Sequence, residues 1–384
     1  VSQIRRGVLD FIGGARAGIA DPFLPTKIRE GRSDDIRECI GCNICIASWH
    51  DGVPVRCTQN ATAGEEWRRG WHPEQFTKTD KPSSVLIVGG GPSGLEAALV
   101  AARQGFDVTI AERDADWGGR VLKESQLPGM ASWRRVRDYR VWALSQMGNV
   151  SMFTNSELDP DAIQNFGADH IALATGAHWT RHLYSALEIP ITPLTMPQVF
   201  TPDDVFAGNV TGDRLLVFDF DHYYLGGVIA EHLAIVGKQV TYATPAGHAS
   251  AWTFMTNELP FVYQALARED VAIHTTTNLI SFDGTHATVA NLFNQTALEL
   301  AADGIVIVGH RVPNDALYEA LITSTESSKN QSSVSLVGDA QAPGAIVHAV
   351  HSGHTFARGL VHDETSYLRD EPIVPATPQI VFPR

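Results

Sequence analysis

The chain has 384 residues, enough for two or three domain-sized units. Hydrophobic residues make up 44% and charged residues 19%, which excludes a predominantly disordered, collagen-like or coiled-coil chain. With 29 Lys and Arg against 43 Asp and Glu the net charge is −14, a balance that repels phosphate backbones and argues against nucleic-acid binding. No stretch approaches the roughly 18 apolar residues of a membrane span, and residues 1–14 lack the apolar block of a signal peptide. A soluble, cytoplasmic protein is expected. All four cysteines fall between positions 39 and 57, with none elsewhere to close a long loop, so a reducing compartment is the better reading.

The chain starts with Val rather than Met, and its first eighty residues do not read as a self-contained domain, so a missing upstream segment is expected. Residues 10–22 read as a strand, a small-residue turn with one Arg, and a short turn. The backbone of Gly14 and Ala15 with the Arg16 guanidinium suits a bound phosphate, as in the last loops of a (β/α)8 barrel; a surface arginine is the plainer alternative.

Cys39, Cys42 and Cys45 follow one another with two-residue gaps, and Cys57 comes twelve positions after Cys45. Such gaps let a loop wrap a compact centre with three sulfurs inward and backbone amides close by, which suits corner-wise ligation of a [4Fe–4S] cluster closed by the fourth thiolate. Zinc, which usually takes two separated Cys-x-x-Cys pairs, fits less well, and plain buried thiols are a further alternative.

From about residue 81 the pattern is α/β. The apolar run 84–88 reads as a strand buried on both faces, and it enters Gly89-Gly90-Gly91-Pro92-Ser93-Gly94. A helix over 95–104 closed by Gly105 and a strand over 108–111 complete a βαβ unit. Gly89, Gly91 and Gly94 form a G-x-G-x-x-G turn: the first for the tight turn, the second for close approach of a pyrophosphate, the third for helix–strand packing. Glu112, 18 residues beyond Gly94, ends the next strand, where a carboxylate accepts ribose hydroxyls and disfavours a 2′-phosphate. A structural turn with a surface Glu is the bland reading. Thr175 and Gly176 end another strand over 168–174, and Asp339 ends a strand over 334–337. These positions, with Pro92, Ser93 and Arg120, complete the candidate nucleotide site. Asp339 suits either a flavin ribityl chain or a helix cap.

The Pro-rich passage 187–202 reads as a linker. A second α/β block follows, with strands over 215–220 and 239–243, a helix over 225–236, and a strand-rich stretch over 271–293. Its turn reads Asp219-Phe220-Asp221-His222-Tyr223-Tyr224 where a glycine loop belongs, and bulk with negative charge opposes a pyrophosphate. This block is read as a structural remnant that does not bind NAD(P)H. A strand over 304–308 and a helix over 345–361 end the pattern. His348, His351 and His354 share one side of that helix, where packing or exposure outweighs a metal reading.

The cysteine run, with residues 57–74 after it (Cys57-Thr-Gln-Asn-Ala-Thr-Ala-Gly-Glu-Glu-Trp-Arg-Arg-Gly-Trp-His-Pro-Glu74), resembles the iron–sulfur flavoprotein family of trimethylamine, dimethylamine and histamine dehydrogenases, and more distantly 2,4-dienoyl-CoA reductase. The resemblance covers essentially the whole chain. It implies two Rossmann-like domains of the glutathione-reductase type, preceded by the tail of a barrel and an iron–sulfur loop. The boundaries are 1–37 for the end of a truncated FMN barrel, 38–80 for the cluster segment, 81–190 with 303–384 for an ADP- or FAD-binding domain, and 191–302 for a degenerate NAD(P)-type domain.

The cysteine gaps and the altered second turn resemble the amine branch, in which ADP occupies the first nucleotide site and NADPH is not used. Gly14, Ala15 and Arg16 match that family's FMN-phosphate position. The resemblance implies oxidation of a small amine at FMN in the missing barrel. Electrons then pass through the cluster to an electron-transferring flavoprotein, and the catalytic residues lie outside this chain. A homo-oligomer is expected. Arg135 stands where the trimethylamine enzyme has an aromatic at its docking surface. An NADPH-dependent dienoyl-CoA or enoate reductase, and a non-catalytic electron-transfer subunit, are the alternative readings.

Overall fold

In the computed structural model, the described residues are 2–81, 83–182, 196–325 and 333–361. Two parallel five-stranded sheets organise them. The first has the order Ser333–Leu336, His170–Leu173, Ser84–Val88, Asp107–Ala111, Val150–Phe153. Its central strand shows why the sequence there is wholly apolar. Val85 and Ile87 pack with the helix Pro92–Gln104, while Leu86 and Val88 pack on the opposite face with Ile163 and Leu321. A strand covered on both faces has no polar side.

The second sheet has the order Val199–Phe200, Gly304–Val308, Arg214–Asp219, Gln239–Ala243, Ala272–His274. An antiparallel meander, Thr277–Phe282, His286–Asn291 and Ala297–Ala301, packs behind it through Leu279, Ala287 and Val289. The chain crosses between the two units on a two-stranded ribbon, Ala177–Trp179 against Arg311–Pro313. The α/β class with parallel Rossmann-like sheets is therefore as expected.

Three expectations need correction. Gly304–Val308 pairs with Arg214–Asp219 and Val199–Phe200, so the chain leaves the second unit after Val308 rather than at residue 303. A short apolar run has no sequence feature that says which of two parallel sheets it joins. The expected linker over 187–202 falls partly outside the described residues; its end forms the edge strand Val199–Phe200 and the start of the helix Pro202–Phe206, with a Thr201/Asp204 capping box. Residues 10–14 form no strand; a stretch without regular structure leads directly into the helix Ala15–Ala20.

The segment before the first sheet is tied down by charge. Lys27 is fully buried and uses its three N–H donors on Asp21 (2.9 Å), Glu74 (2.8 Å) and the Asp35 carbonyl (3.0 Å). Arg140 does the same on a larger scale. Its guanidinium, also fully buried, donates to Glu96 on the glycine-turn helix (2.7 Å), to the side chain (3.0 Å) and carbonyl (3.2 Å) of Gln59, and to the Val136 carbonyl (2.8 Å). Glu96 takes a second partner from the final helix, His354 Nδ1 at 2.8 Å. Burial opposes its charge, but Arg140 and His354 hold its carboxyl well below the ordinary range.

The three histidines of that helix thus have structural partners: His354 with Glu96, His351 with Glu65, and His348 Nδ1 with the Ala345 amide. Replacing Arg140 by Met, similar in length and uncharged, leaves Glu96 buried beside a neutral imidazole. It is expected to cost about 3–5 kcal/mol in chemical denaturation, with the double variant Arg140→Met/Glu96→Gln recovering part of the loss.

Candidate functional site

The glycine turn has the geometry its spacing implies. Gly89 lies at φ +110°, and a Cβ there would sit 2.3 Å from the Ala174 carbonyl oxygen. A Cβ on Gly94 would lie 1.9 Å from the Gly89 oxygen, so the helix meets the strand only with hydrogen at this position. Gly91 differs: nothing lies within 4 Å of the direction its Cβ would take. That open space faces the start of a helix whose first residues are Pro92, Ser93 and Gly94, all buried. Glu112 is buried behind the turn, accepting from the amides of Gly90 (2.6 Å) and Asp114 (2.9 Å).

The strand-end residues are brought to the same edge but are used differently. Thr175 Oγ1 donates to the Asn314 carbonyl (2.6 Å), and the Asn314 amide returns to Gly176 (2.9 Å), fastening the first sheet to the crossing ribbon. Asp339 lies between two guanidiniums. Arg120 reaches its Oδ2 at 2.9 Å and Arg311 bonds the same oxygen, while Oδ1 accepts from the Gly344 amide (3.0 Å). Arg120 also pairs with Glu124 (2.8 Å). Arg311, whose guanidinium lies over the Trp179 ring, was missed in the sequence: it sits in a short ribbon without a motif around it.

The four cysteines line one cavity, together with Arg16, Ile19, Asn43, Arg56, Thr58 and Gln59. Asn43, in the left-handed conformation at φ +54°, turns the loop into the helix Ile44–His50. Its amide nitrogen donates to the Thr256 carbonyl (3.0 Å) of the second unit, and its oxygen accepts from Arg16. Arg16 therefore stands at the cysteine cavity, with Gly14 and Ala15 exposed beside it. Thr58 Oγ1 lies 3.2 Å from Cys42 Sγ, and amides point at the sulfurs: Ile44 at Cys42, Ile46 at Cys45, Gln59 and Asn60 at Cys57. Burial pushes the Cys42 thiol up to about 12, against the Thr58 and Ile44 hydrogen bonds, and raises Cys45 and Cys57 as well.

In the second unit the turn that follows Arg214–Asp219 is filled from within. Asp219 has no exposed surface; its carboxylate accepts from the amides of Asp221 and His222 (both 3.1 Å) and from the Tyr242 hydroxyl. A carboxylate thus occupies the amides that a pyrophosphate takes in a dinucleotide domain. Tyr223 and Tyr224 open the next helix, Tyr224 donating to Glu124 (2.6 Å) and stacking on Trp133 with ring centroids 4.5 Å apart.

Two predictions follow from these contacts. Gly91→Ala should leave the unfolding midpoint unchanged while weakening nucleotide retention at least tenfold, whereas Gly94→Ala should destabilise the fold outright; differential scanning calorimetry with and without nucleotide separates them. Burial, with Asp221 adding to it, raises the Asp219 carboxyl to about 7. The folded state therefore binds a proton that the unfolded state has released, and stability falls as pH rises from about 4 to about 7. Asp219→Asn should flatten that part of the wild-type curve of thermal midpoint against pH.

Residues 87–153 match the family model described as an NAD(P)-binding Rossmann-like domain. Among curated proteins, the chain is 34% identical to dimethylamine dehydrogenase of Hyphomicrobium sp. (strain x), over 92% of this chain and 52% of that one. Among solved structures it is similar to 6-hydroxypseudooxynicotine amine oxidase from Pseudomonas geniculata N1, at 42% identity and TM-score 0.90 over 93% of this chain and 54% of that one. It is equally similar to histamine dehydrogenase from Rhizobium sp. 4-9, at 40% identity and TM-score 0.90 over 97% of this chain and 57% of that one. The chain spans about half the length of the curated relatives it matches. No described helix is long and apolar enough to cross a membrane. By sequence and fold together, the chain belongs to the trimethylamine, dimethylamine and histamine dehydrogenase family and corresponds to the C-terminal part of its members.

Proposed function

We propose that this chain is the electron-transfer and nucleotide-binding part of an iron–sulfur flavoprotein amine dehydrogenase. Cys39, Cys42, Cys45 and Cys57 hold a [4Fe–4S] cluster in this reading, and the turn Gly89–Gly94 holds a nucleoside diphosphate. The observation that carries it is a single cavity lined by all four thiols, with backbone amides already pointing at their sulfurs. Burial favours the protonated thiol at Cys42, Cys45 and Cys57 although amides point at their sulfurs, a costly arrangement unless a cationic centre takes the protons' place. Among the described residues, no three His, Cys, Asp or Glu side chains converge closely enough to hold one metal ion. A tetrahedral zinc needs thiolates about 3.8 Å apart, at Zn–S distances of about 2.3 Å, whereas a cubane takes them at four separate corners. The donor set therefore fits the cluster better than zinc.

A bound cluster supplies one-electron steps between a flavin that collects electrons in pairs and an external one-electron acceptor. The residues here do the rest. Thr58 and the loop amides hold the thiolate ends in place and stabilise their negative charge. Gln59 fixes the Cys57 loop to Arg140, and Arg140 fixes it to the nucleotide helix through Glu96. At the nucleotide site Asp339 is taken by Arg120, Arg311 and the Gly344 amide, which leaves it little capacity for a ribityl chain and favours ADP over FAD. Glu112 remains the carboxylate for a ribose. The buried Asp219 turn favours an enzyme that does not draw on NADPH. Gly14, Ala15 and Arg16 stay assigned to an FMN phosphate, a small amine to the substrate, and an electron-transferring flavoprotein to the acceptor.

Anaerobic purification should give about four iron and four acid-labile sulfide per chain. Cys42→Ser should lose the broad visible absorption together with most of that iron, and iron retained in full by this variant would overturn the ligand set. Mass spectrometry of the nucleotide released by denaturation should find ADP; FAD would move the reading towards the reductases.

A further inference from the structure

This inference rests on the cluster reading of the cysteine cavity and concerns a residue that reading does not use. Arg56 precedes Cys57 and lines the cavity with the four cysteines. Its guanidinium is bonded to Glu65, a carboxylate with no exposed surface. Glu65 also pairs with Arg68 (2.8 Å), with Arg69 (3.2 Å) and with His351 (3.3 Å). Burial alone would protonate it, but His351, Arg56 and Arg68 hold its carboxyl at about 2, so it is ionised at any physiological pH. One negative charge shared by three guanidiniums cannot neutralise Arg56. It holds the guanidinium of Arg56, whose side chain is only 30% exposed, instead of leaving it to extend into water.

We propose that Arg56, positioned by Glu65, sets the reduction potential of the cluster by adding a positive charge to the lining of the cysteine cavity. Reduction adds one electron and hence one negative charge to the thiolate-ligated cluster, with no bond made or broken. A nearby cation stabilises the more negative, reduced form more than the oxidised one and so raises the potential. With Cys42 buried and the Arg56 side chain only 30% exposed, salt screens this interaction less than it would between fully exposed groups.

The test uses Arg56→Gln and Arg56→Lys in the full-length, anaerobically purified protein, with dithionite as reductant and redox mediators. The readouts are iron content and the midpoint potential followed by electron paramagnetic resonance. Arg56→Gln should keep its iron and shift the midpoint to more negative potential, and Arg56→Lys should restore most of the shift. Should Arg56→Gln lose iron while Arg56→Lys keeps it, Arg56 holds the cluster in place rather than setting its potential, and the proposal is overturned. Loss of iron from both variants, or an unmoved midpoint in an iron-replete Arg56→Gln, overturns it. Wild-type protein without iron removes the cluster reading itself, and this role with it, so the two failures are distinguishable.

Discussion

The buried guanidinium of Arg140 is the contact on which the arrangement of the two sites depends. It is satisfied only if three separate pieces of chain meet: the glycine-turn helix through Glu96, the Cys57 loop through Gln59, and its own helix through the Val136 carbonyl. None of the three supplies enough acceptors alone, and an unpaired buried charge is costly. The cysteine loop is therefore held at a fixed place against the first Rossmann-like unit. His354 brings the final helix into the same network by using the second oxygen of Glu96. The nucleotide helix is thus clamped from both sides by polar contacts in a setting otherwise packed with Ala, Leu and Val.

The two Rossmann-like units show how one architecture separates from its chemistry. In the first, Gly91 leaves room in front of a helix start. In the second, Tyr223 stands before the helix start where Gly91 stands in the first, and Asp219 satisfies the amides of the turn itself. The second unit keeps its sheet, its helix and its crossover, because these depend on apolar runs such as 215–218, which are untouched. Its aromatic turn instead packs towards the first unit, through Tyr224 on Trp133 and Glu124. The fold persists although the amides of the turn are taken by the chain's own carboxylate.

The charge distribution runs against the composition. A chain of net charge −14 gathers Arg16 and Arg56 around its cysteine cavity, and Arg37, almost fully buried, adds its field at Cys57. Local cations in an acidic molecule favour a negative occupant. Around Asp339 the two cations Arg120 and Arg311 meet two carboxylates, Asp339 and Glu124, and there the charge is balanced within the chain.

Much of this was legible in the sequence. The spacing of the cysteines, the Gly89, Gly91 and Gly94 turn after an apolar strand, and the missing glycines at 219–224 are local features, fixed by what a tight turn or a short loop sterically permits. Tertiary structure alone decided the rest. It assigned Gly304–Val308 to the second sheet, turned residues 10–20 into coil and helix, and brought Arg311 from the crossing ribbon onto Asp339. It also placed Glu65 behind Arg56 and Arg140 between Glu96 and Gln59. Each of these is a pairing across the fold, or a choice between partners of equal local merit. A backbone turn is settled by its own few residues, whereas a buried charge is settled by whichever distant group arrives to meet it.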